Sequence, residues 1–86
     1  MREIIFAHKA LKQLQEWKNS NLNIFEKIIE LIENIKNDPF NGLGKPEPLK
    51  YDKQGYWSRR INREHRLVYK ITDLSIIVVS CRFYYD

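Results

Sequence analysis

One cysteine, one methionine, two histidines, three glycines and three prolines in 86 residues exclude several kinds of protein at once. A lone Cys81 cannot close an internal disulfide, so a cross-linked secreted scaffold is ruled out. His8 and His65, taken with that one cysteine, have no zinc-site spacing, and no metal or other cofactor is expected. No apolar stretch behind Met1 is long enough for a signal peptide or a membrane span, and no basic amphipathic helix or lipidation signal points to a membrane partner. A cytoplasmic, bacterial location is the expectation. The scarcity of Gly and Pro beside an apolar fraction of 43% argues against a disordered or low-complexity chain. With no repeat or linker, residues 1–86 read as a single domain. A domain of this size buries roughly 60% of its unfolded surface, so a partner chain or a homodimer contact would be a natural source of stability.

Charge is present, and it is localised. Gly44 to Arg66 hold seven Lys or Arg against three acids, while the rest of the chain has eight of each, so the net +4 belongs to about a quarter of the molecule. A concentrated positive segment in a globular domain of pI near 9.3 calls for a polyanion, and nucleic acid fits best. Within it, Glu47 is fixed between Pro46 and Pro48, where a phosphate is expected to lie. A carboxylate among cations points to chemistry as well as binding.

The apolar spacing predicts the elements. Glu3 to Phe6 is a short strand; Ala7, Ala10, Leu11, Leu14 and Trp17 mark a helix to Lys18. Asn23 with Glu26 three residues on has the form of a capping box, and Ile24, Ile28, Leu31, Ile32 and Ile35 mark a second helix that Asp38-Pro39 ends. Asn41 to Gly55, rich in Gly, Pro and charge, read as a long ordered loop of the kind that carries function. Tyr56–Ile61, Arg66–Ile71 and Ser75–Phe83 are predicted strands, the last central because Ile76 to Val79 is apolar on both faces. The class is therefore α+β: an N-terminal strand and two helices packed on one face of a small antiparallel sheet. Strand alternation places Arg60 opposite Arg59, and Arg66, Val68 and Lys70 opposite Leu67, Tyr69 and Ile71, leaving one apolar and one basic face.

The runs Gly44-Lys45-Pro46-Glu47-Pro48-Leu49-Lys50, Gly55-Tyr56-Trp57-Ser58-Arg59-Arg60-Ile61 and Glu64-His65-Arg66-Leu67-Val68-Tyr69, closed by Cys81-Arg82-Phe83-Tyr84-Tyr85, resemble the YoeB (Txe/YoeB) toxins of bacterial toxin-antitoxin modules over nearly the whole chain. The resemblance implies a RelE-like fold. It also implies a ribosome-dependent endoribonuclease that cuts A-site mRNA and arrests translation, a small YefM (Phd-type) antitoxin as partner, and a homodimer.

Metal-free RNA cleavage uses the ribose 2′-hydroxyl as nucleophile. It needs a base for that proton, cations for the charge on the phosphorane, and an acid for the 5′-oxygen. Glu47 is the candidate base, its loop restricted by two prolines and its carboxylate ionised at neutral pH. Arg60 and Arg66 are the candidate phosphate forks. Lys45, Lys50, Arg59 and His65 are the candidate RNA-binding residues. YoeB-like chains usually end in His-Tyr, with the histidine as proton donor, whereas this sequence ends that motif in Tyr84-Tyr85. A tyrosine is protonated at pH 7 but is about three to four pH units the weaker acid. Both tyrosines are candidate catalytic residues.

Other readings compete. Arg59, Arg60 and Arg66 are also the kind of residue that stays solvated or pairs with Glu64. His65 fits a satisfied structural histidine, and Trp17 and Trp57 fit core or interface aromatics, with base stacking as the second role for Trp57. Tyr51, Tyr56 and Tyr69 share that ambiguity. The alternative function is a catalytically impaired RNA-, ribosome- or antitoxin-binding module, because Tyr84 stands where the histidine is usual.

Overall fold

A computed structural model describes residues 2–50 and 55–83. The elements run β1 (Glu3–Phe6), α1 (His8–Ser20), α2 (Leu22–Asn37), β2 (Glu47–Pro48), β3 (Tyr56–Arg60), β4 (Arg66–Ile71) and β5 (Ser75–Ser80). They build one five-stranded sheet in the order β1-β5-β4-β3-β2. β1 pairs in parallel with β5, and the other pairings are antiparallel, so the sheet is mixed where a purely antiparallel one was expected. The middle position falls to β4. β5, expected there, lies between β1 and β4 and is still covered on both edges, which is what its doubly apolar run demands.

α1 and α2 meet at one residue. The Asn21 backbone N–H donates to the Trp17 carbonyl at 2.8 Å and ends α1, while its side-chain Oδ1 accepts from the Ile24 N–H at 3.3 Å and starts α2. The cap is therefore Asn21 and not Asn23. Starting two residues earlier extends α2 by Leu22 and Asn23 and lets the Phe25 N–H bond the Asn21 carbonyl at 3.1 Å. α2 stops at Asn37, ahead of Asp38-Pro39, as predicted.

The core joins both helices to one face of the sheet. Ala10, Leu14 and Trp17 of α1 and Ile28, Leu31, Ile32 and Ile35 of α2 pack with Leu67, Tyr69, Ile76 and Val78, and Ile4, Phe6 and Trp57 border them. Complete burial of side chains such as Ile28 and Leu31 stabilises the fold by about 1.5–3 kcal/mol each. Leu11 of the α1 stripe remains 43% exposed. Val68 pairs with Ser80 and Tyr69 with Val78, so Val79 is the extra residue of a bulge, and β5 ends at Ser80 instead of Phe83.

The stretch predicted as a loop after α2 contains the edge strand β2, in which Glu47 pairs with Ser58 and Pro48 with Trp57. Proline donates no ladder hydrogen bond, which suits a two-residue strand at the sheet edge.

Candidate active site

Pairing register decides which side chains share a face. Glu47 is opposite Ser58, Ser58 opposite Val68, and Arg60 opposite Arg66, so all of these lie on the face turned away from the helices. There Arg66 Nη1 is 3.4 Å from Glu47 Oε1 and 3.5 Å from Ser58 Oγ. The Arg66 side chain is 16% exposed and the Glu47 side chain 62%, so the carboxylate meets solvent while the guanidinium is held against the sheet. Arg60, Asn62, Arg63 and Arg66 line an open cavity of about 220 Å³ at this end of β3 and β4. Three arginines around one small cavity make an anion site by composition.

The loop that delivers Glu47 is anchored at Gly44. Its carbonyl accepts from the Arg60 N–H at 2.6 Å. Its φ of +79° and the approach of the Arg60 carbonyl to 2.9 Å from where a Cβ would sit leave glycine as the residue that fits. Lys45 follows with φ 51°, left-handed for a non-glycine residue and immediately before Pro46. Such a conformation costs of order 1 kcal/mol or more, and here it lies two residues from Glu47. Lys45 and Lys50 are exposed on either side of β2.

Arg59 overturns the expectation made for it. It is fully buried on the helix side and spends its donors internally. Nε donates to Tyr69 Oη at 3.1 Å, Nη1 to Asn34 Oδ1 and to the Leu43 carbonyl at 3.1 Å, and Nη2 to the Asp38 and Asn41 carbonyls at 2.7 and 3.2 Å. Apart from Tyr69 on β4, those acceptors sit at the C-terminal end of α2 and in the loop behind it, where free carbonyls concentrate negative charge. Arg59 is a clamp on the Glu47 loop and is not available to phosphate. Tyr69 completes the clamp by donating its hydroxyl to the Pro39 carbonyl at 2.8 Å. Burial pushes the Tyr69 hydroxyl pKa up, with the Arg59 hydrogen bond and charge opposing.

For His65 the structure supports the reading as a satisfied structural histidine and not the RNA-binding one. It is 6% exposed, its ring stands edge-on to Trp17 at 4.8 Å, and Nδ1 accepts the Phe83 backbone N–H at 2.7 Å. A ring nitrogen committed to a backbone amide inside an aromatic stack is not a phosphate contact. Trp57 is partly buried, edge-on to Phe40 at 5.4 Å, so packing accounts for it. Cys81 is buried, and desolvation pushes its thiol pKa up to about 12, with Arg82 opposing. At Asp38 the Phe40 N–H, donating to the carboxylate, is the main cause holding its pKa below the usual value.

Of the sequence-predicted site residues, Glu47, Arg60 and Arg66 share one face, while Arg59 and His65 point to the protein interior. Tyr51, Tyr84 and Tyr85 lie outside the described residues. Arg63 was not singled out, because it sits in the turn between β3 and β4 where strand alternation is silent; its signal was membership of the basic segment. Among the described residues no cluster of three or more His, Cys, Asp or Glu is placed to hold a metal ion, and no helix is long and apolar enough to cross a membrane.

The chain is similar to known proteins in sequence and in fold. The profile of the YoeB-like toxin of bacterial type II toxin-antitoxin systems matches residues 6–85. Toxin YoeB of Synechocystis sp. is 52% identical over 84 residues, 98% of this chain and 98% of that one. The YoeB dimer from Staphylococcus aureus superposes with a TM-score of 0.90 at 39% identity, covering 98% of both chains. The YoeB–YefM complex from the same organism does so at 0.87 and 40%, covering 99% of both. Sequence and fold converge, and the chain belongs to the family of YoeB-like toxins of bacterial type II toxin-antitoxin systems.

Proposed function

We propose that this protein is a ribosome-dependent endoribonuclease, acting in the bacterial cytoplasm as a single domain of 86 residues that cuts mRNA in the ribosomal A site. The observation that carries the reading is the approach of Glu47 to Arg66 at 3.4 Å, on the face where Arg60, Asn62, Arg63 and Arg66 line one cavity. A phosphodiester seated among these arginines has its non-bridging oxygens neutralised and the neighbouring 2′-hydroxyl within reach of the carboxylate. Glu47 takes the 2′-proton; the 2′-oxygen bonds to phosphorus, and the charge on the pentavalent phosphorane falls on Arg60 and Arg66. The P–O5′ bond then breaks, leaving a 2′,3′-cyclic phosphate and a 5′-hydroxyl whose proton comes from Tyr84 or Tyr85. Each preorganised arginine contributes about 3 kcal/mol to such a transition state. Lys45 and Lys50 hold flanking phosphates, and their contribution is salt-dependent.

Partners follow from the relatives. A YefM-type antitoxin is the proposed neutralising chain, as in the S. aureus complex, and a homodimer is the proposed free form, as in the S. aureus dimer. Primer extension on ribosome-bound mRNA, comparing wild type with Glu47→Ala, Arg66→Ala and Tyr84→Phe, tests the whole reading. Cleavage by wild type and its loss in the variants is expected. Tyr84 in place of the usual histidine favours one competing reading, a module that binds ribosomes or antitoxin without cutting, and wild type that binds but leaves mRNA intact would establish that instead.

A further inference from the structure

We infer that His65 is a positioning residue for the proposed reaction, acting by holding the backbone of Phe83, the residue that precedes Tyr84 in the sequence. Three observations carry this. His65 Nδ1 accepts the Phe83 N–H at 2.7 Å, and the next residue's backbone N–H, that of Arg66, donates to the Phe83 carbonyl at 3.1 Å. One dipeptide therefore grips both polar groups of Phe83 while its second side chain, Arg66, faces Glu47. Secondly, Phe83 has φ 65°, a left-handed conformation that a phenylalanine does not hold unaided, and its side chain is 61% exposed. Burial does not fix this turn; the two hydrogen bonds hold its backbone, and the His65 ring at 5.4 Å and the Arg82 guanidinium at 5.3 Å meet its ring. Thirdly, His65 is itself fixed from every side. Asn62 Oδ1 accepts its backbone N–H at 2.8 Å, its carbonyl accepts from the Ile61 and Asn62 N–H groups at 2.9 and 3.3 Å, and Trp17 stands against its ring.

The segment before Phe83 is stitched down as well. The Cys81 carbonyl accepts from Trp17 Nε1 at 2.9 Å, and the Cys81 N–H donates to Gln13 Oε1 at 2.7 Å. Arg82 lies 4.6 Å over the Trp17 ring and is 3.5 Å from Glu16. Residues 81–83 are thus registered on α1 and on the start of β4, and Phe83 directly precedes Tyr84 in the sequence. Because an amide N–H only donates, Nδ1 must be the unprotonated nitrogen and the neutral ring carries its proton on Nε2. His65 so acts on the reaction through Phe83, without touching substrate.

The inference rests on the endoribonuclease reading for its effect on rate, but not for the contact itself, so the test has two readouts. His65→Phe keeps a flat ring against Trp17 and removes the acceptor. His65→Asn restores one, since asparagine Oδ1, like Nδ1, is bonded to Cγ. On ribosome-bound mRNA, His65→Phe is expected to lower kcat by about 100-fold, the scale of an ångström-sized misplacement of a catalytic group, with KM unchanged because Arg60 and Arg66 remain. His65→Asn is expected to recover most of the loss. Amide hydrogen exchange at Phe83 should be slow in wild type and His65→Asn and fast in His65→Phe. If His65→Phe does not fold, His65→Gln, whose acceptor is one bond further out, replaces it with the same expectation. A folded His65→Phe variant that cuts at the wild-type rate overturns the inference, as does His65→Asn failing as badly as His65→Phe. Should wild type not cut at all, the endoribonuclease reading falls, and exchange at Phe83 alone decides: equal rates in wild type and His65→Phe refute the anchoring.

Discussion

Arg59 and Arg60 are neighbours on β3 and belong to opposite worlds. On the helix-covered side, Arg59 is fully buried and its hydrogen bonds go to internal acceptors: three backbone carbonyls, one amide oxygen and one phenol. On the other side Arg60 is exposed and lines a cavity with Arg63 and Arg66. The same side chain closes a loop on one face and opens an anion site on the other. What separates them is the supply of acceptors, since the end of α2 and residues 38–43 furnish carbonyls to Arg59, whereas the open face brings the Glu47 carboxylate and the Ser58 hydroxyl to Arg66. The two roles are linked, because the loop that Arg59 clamps is the loop that carries Glu47.

The largest expected effect comes from breaking the buried member of the pair. Arg59→Ala leaves the Asp38, Asn41 and Leu43 carbonyls and Asn34 Oδ1 short of a donor around a cavity, and should lower stability by about 3–5 kcal/mol, a large part of what a domain this small has. Arg59→Lys should recover little, as one ammonium cannot span a fork's five acceptors. Arg60→Ala should move stability by less than about 0.5 kcal/mol. Urea unfolding of the three variants measures the contrast, and equal destabilisation at positions 59 and 60 would erase it.

On the open face the variable is rate. Arg66→Ala is expected to lower cleavage by about 100- to 1000-fold, and Glu47→Gln by about 100- to 10,000-fold, while both proteins keep their melting temperature within a few degrees. The exposed Arg66–Glu47 pair itself stabilises the fold by less than about 1 kcal/mol. A Glu47→Gln protein that cuts normally would remove the base from the proposed mechanism.

Much of this division was legible before any coordinates. Period-two alternation in Tyr56–Ile61 already put Arg59 and Arg60 on opposite faces, and the stripe from Ile24 to Ile35 identified a covering helix. The purpose of Arg59 was not legible, because its acceptors are backbone carbonyls up to 21 residues away that exist as a cluster only after α2 has docked. A structural His65 was among the readings, but its partner was hidden for the same reason: it is the N–H of Phe83, a group every residue but proline carries. Asn23 and Glu26 imitated a capping box while Asn21 took the work, since either asparagine satisfies the local chemistry and packing chose between them. Parallel pairing of β1 with β5 left no mark on a four-residue strand. Glu47 was visible because two prolines and a cluster of cations single it out in the sequence itself.

A smaller effect is expected at the position where this chain departs from its family. Tyr84→His supplies a donor whose ordinary pKa lies about three to four units lower, closer to working pH. Cleavage should be retained or rise, with the pH optimum shifted downward. A clear loss of cleavage on that change would show that Tyr84 is not the donor, leaving Tyr85 or water to protonate the 5′-oxygen.

At neutral pH the smallest effect belongs to a residue of the covered side, and it appears only in alkali. Folding raises the Cys81 thiol pKa to about 12 by burying it, while an unfolded thiol ionises near 8.5. Above that lower value the unfolded chain gives up its proton first and therefore binds fewer protons than the native one, so stability falls as pH rises from about 9 toward 12. Tyr69, also raised by burial, adds to the fall above pH 10. Cys81→Ala should remove the cysteine share, making the alkaline decline shallower by up to about 1.4 kcal/mol per pH unit, with the curves parallel below pH 8. Equal slopes for wild type and Cys81→Ala between pH 9 and 11 would mean that the thiol ionises as easily in the fold as out of it. The covered side would then be far wetter around residue 81 than its packing against Ala10 and Trp17 implies.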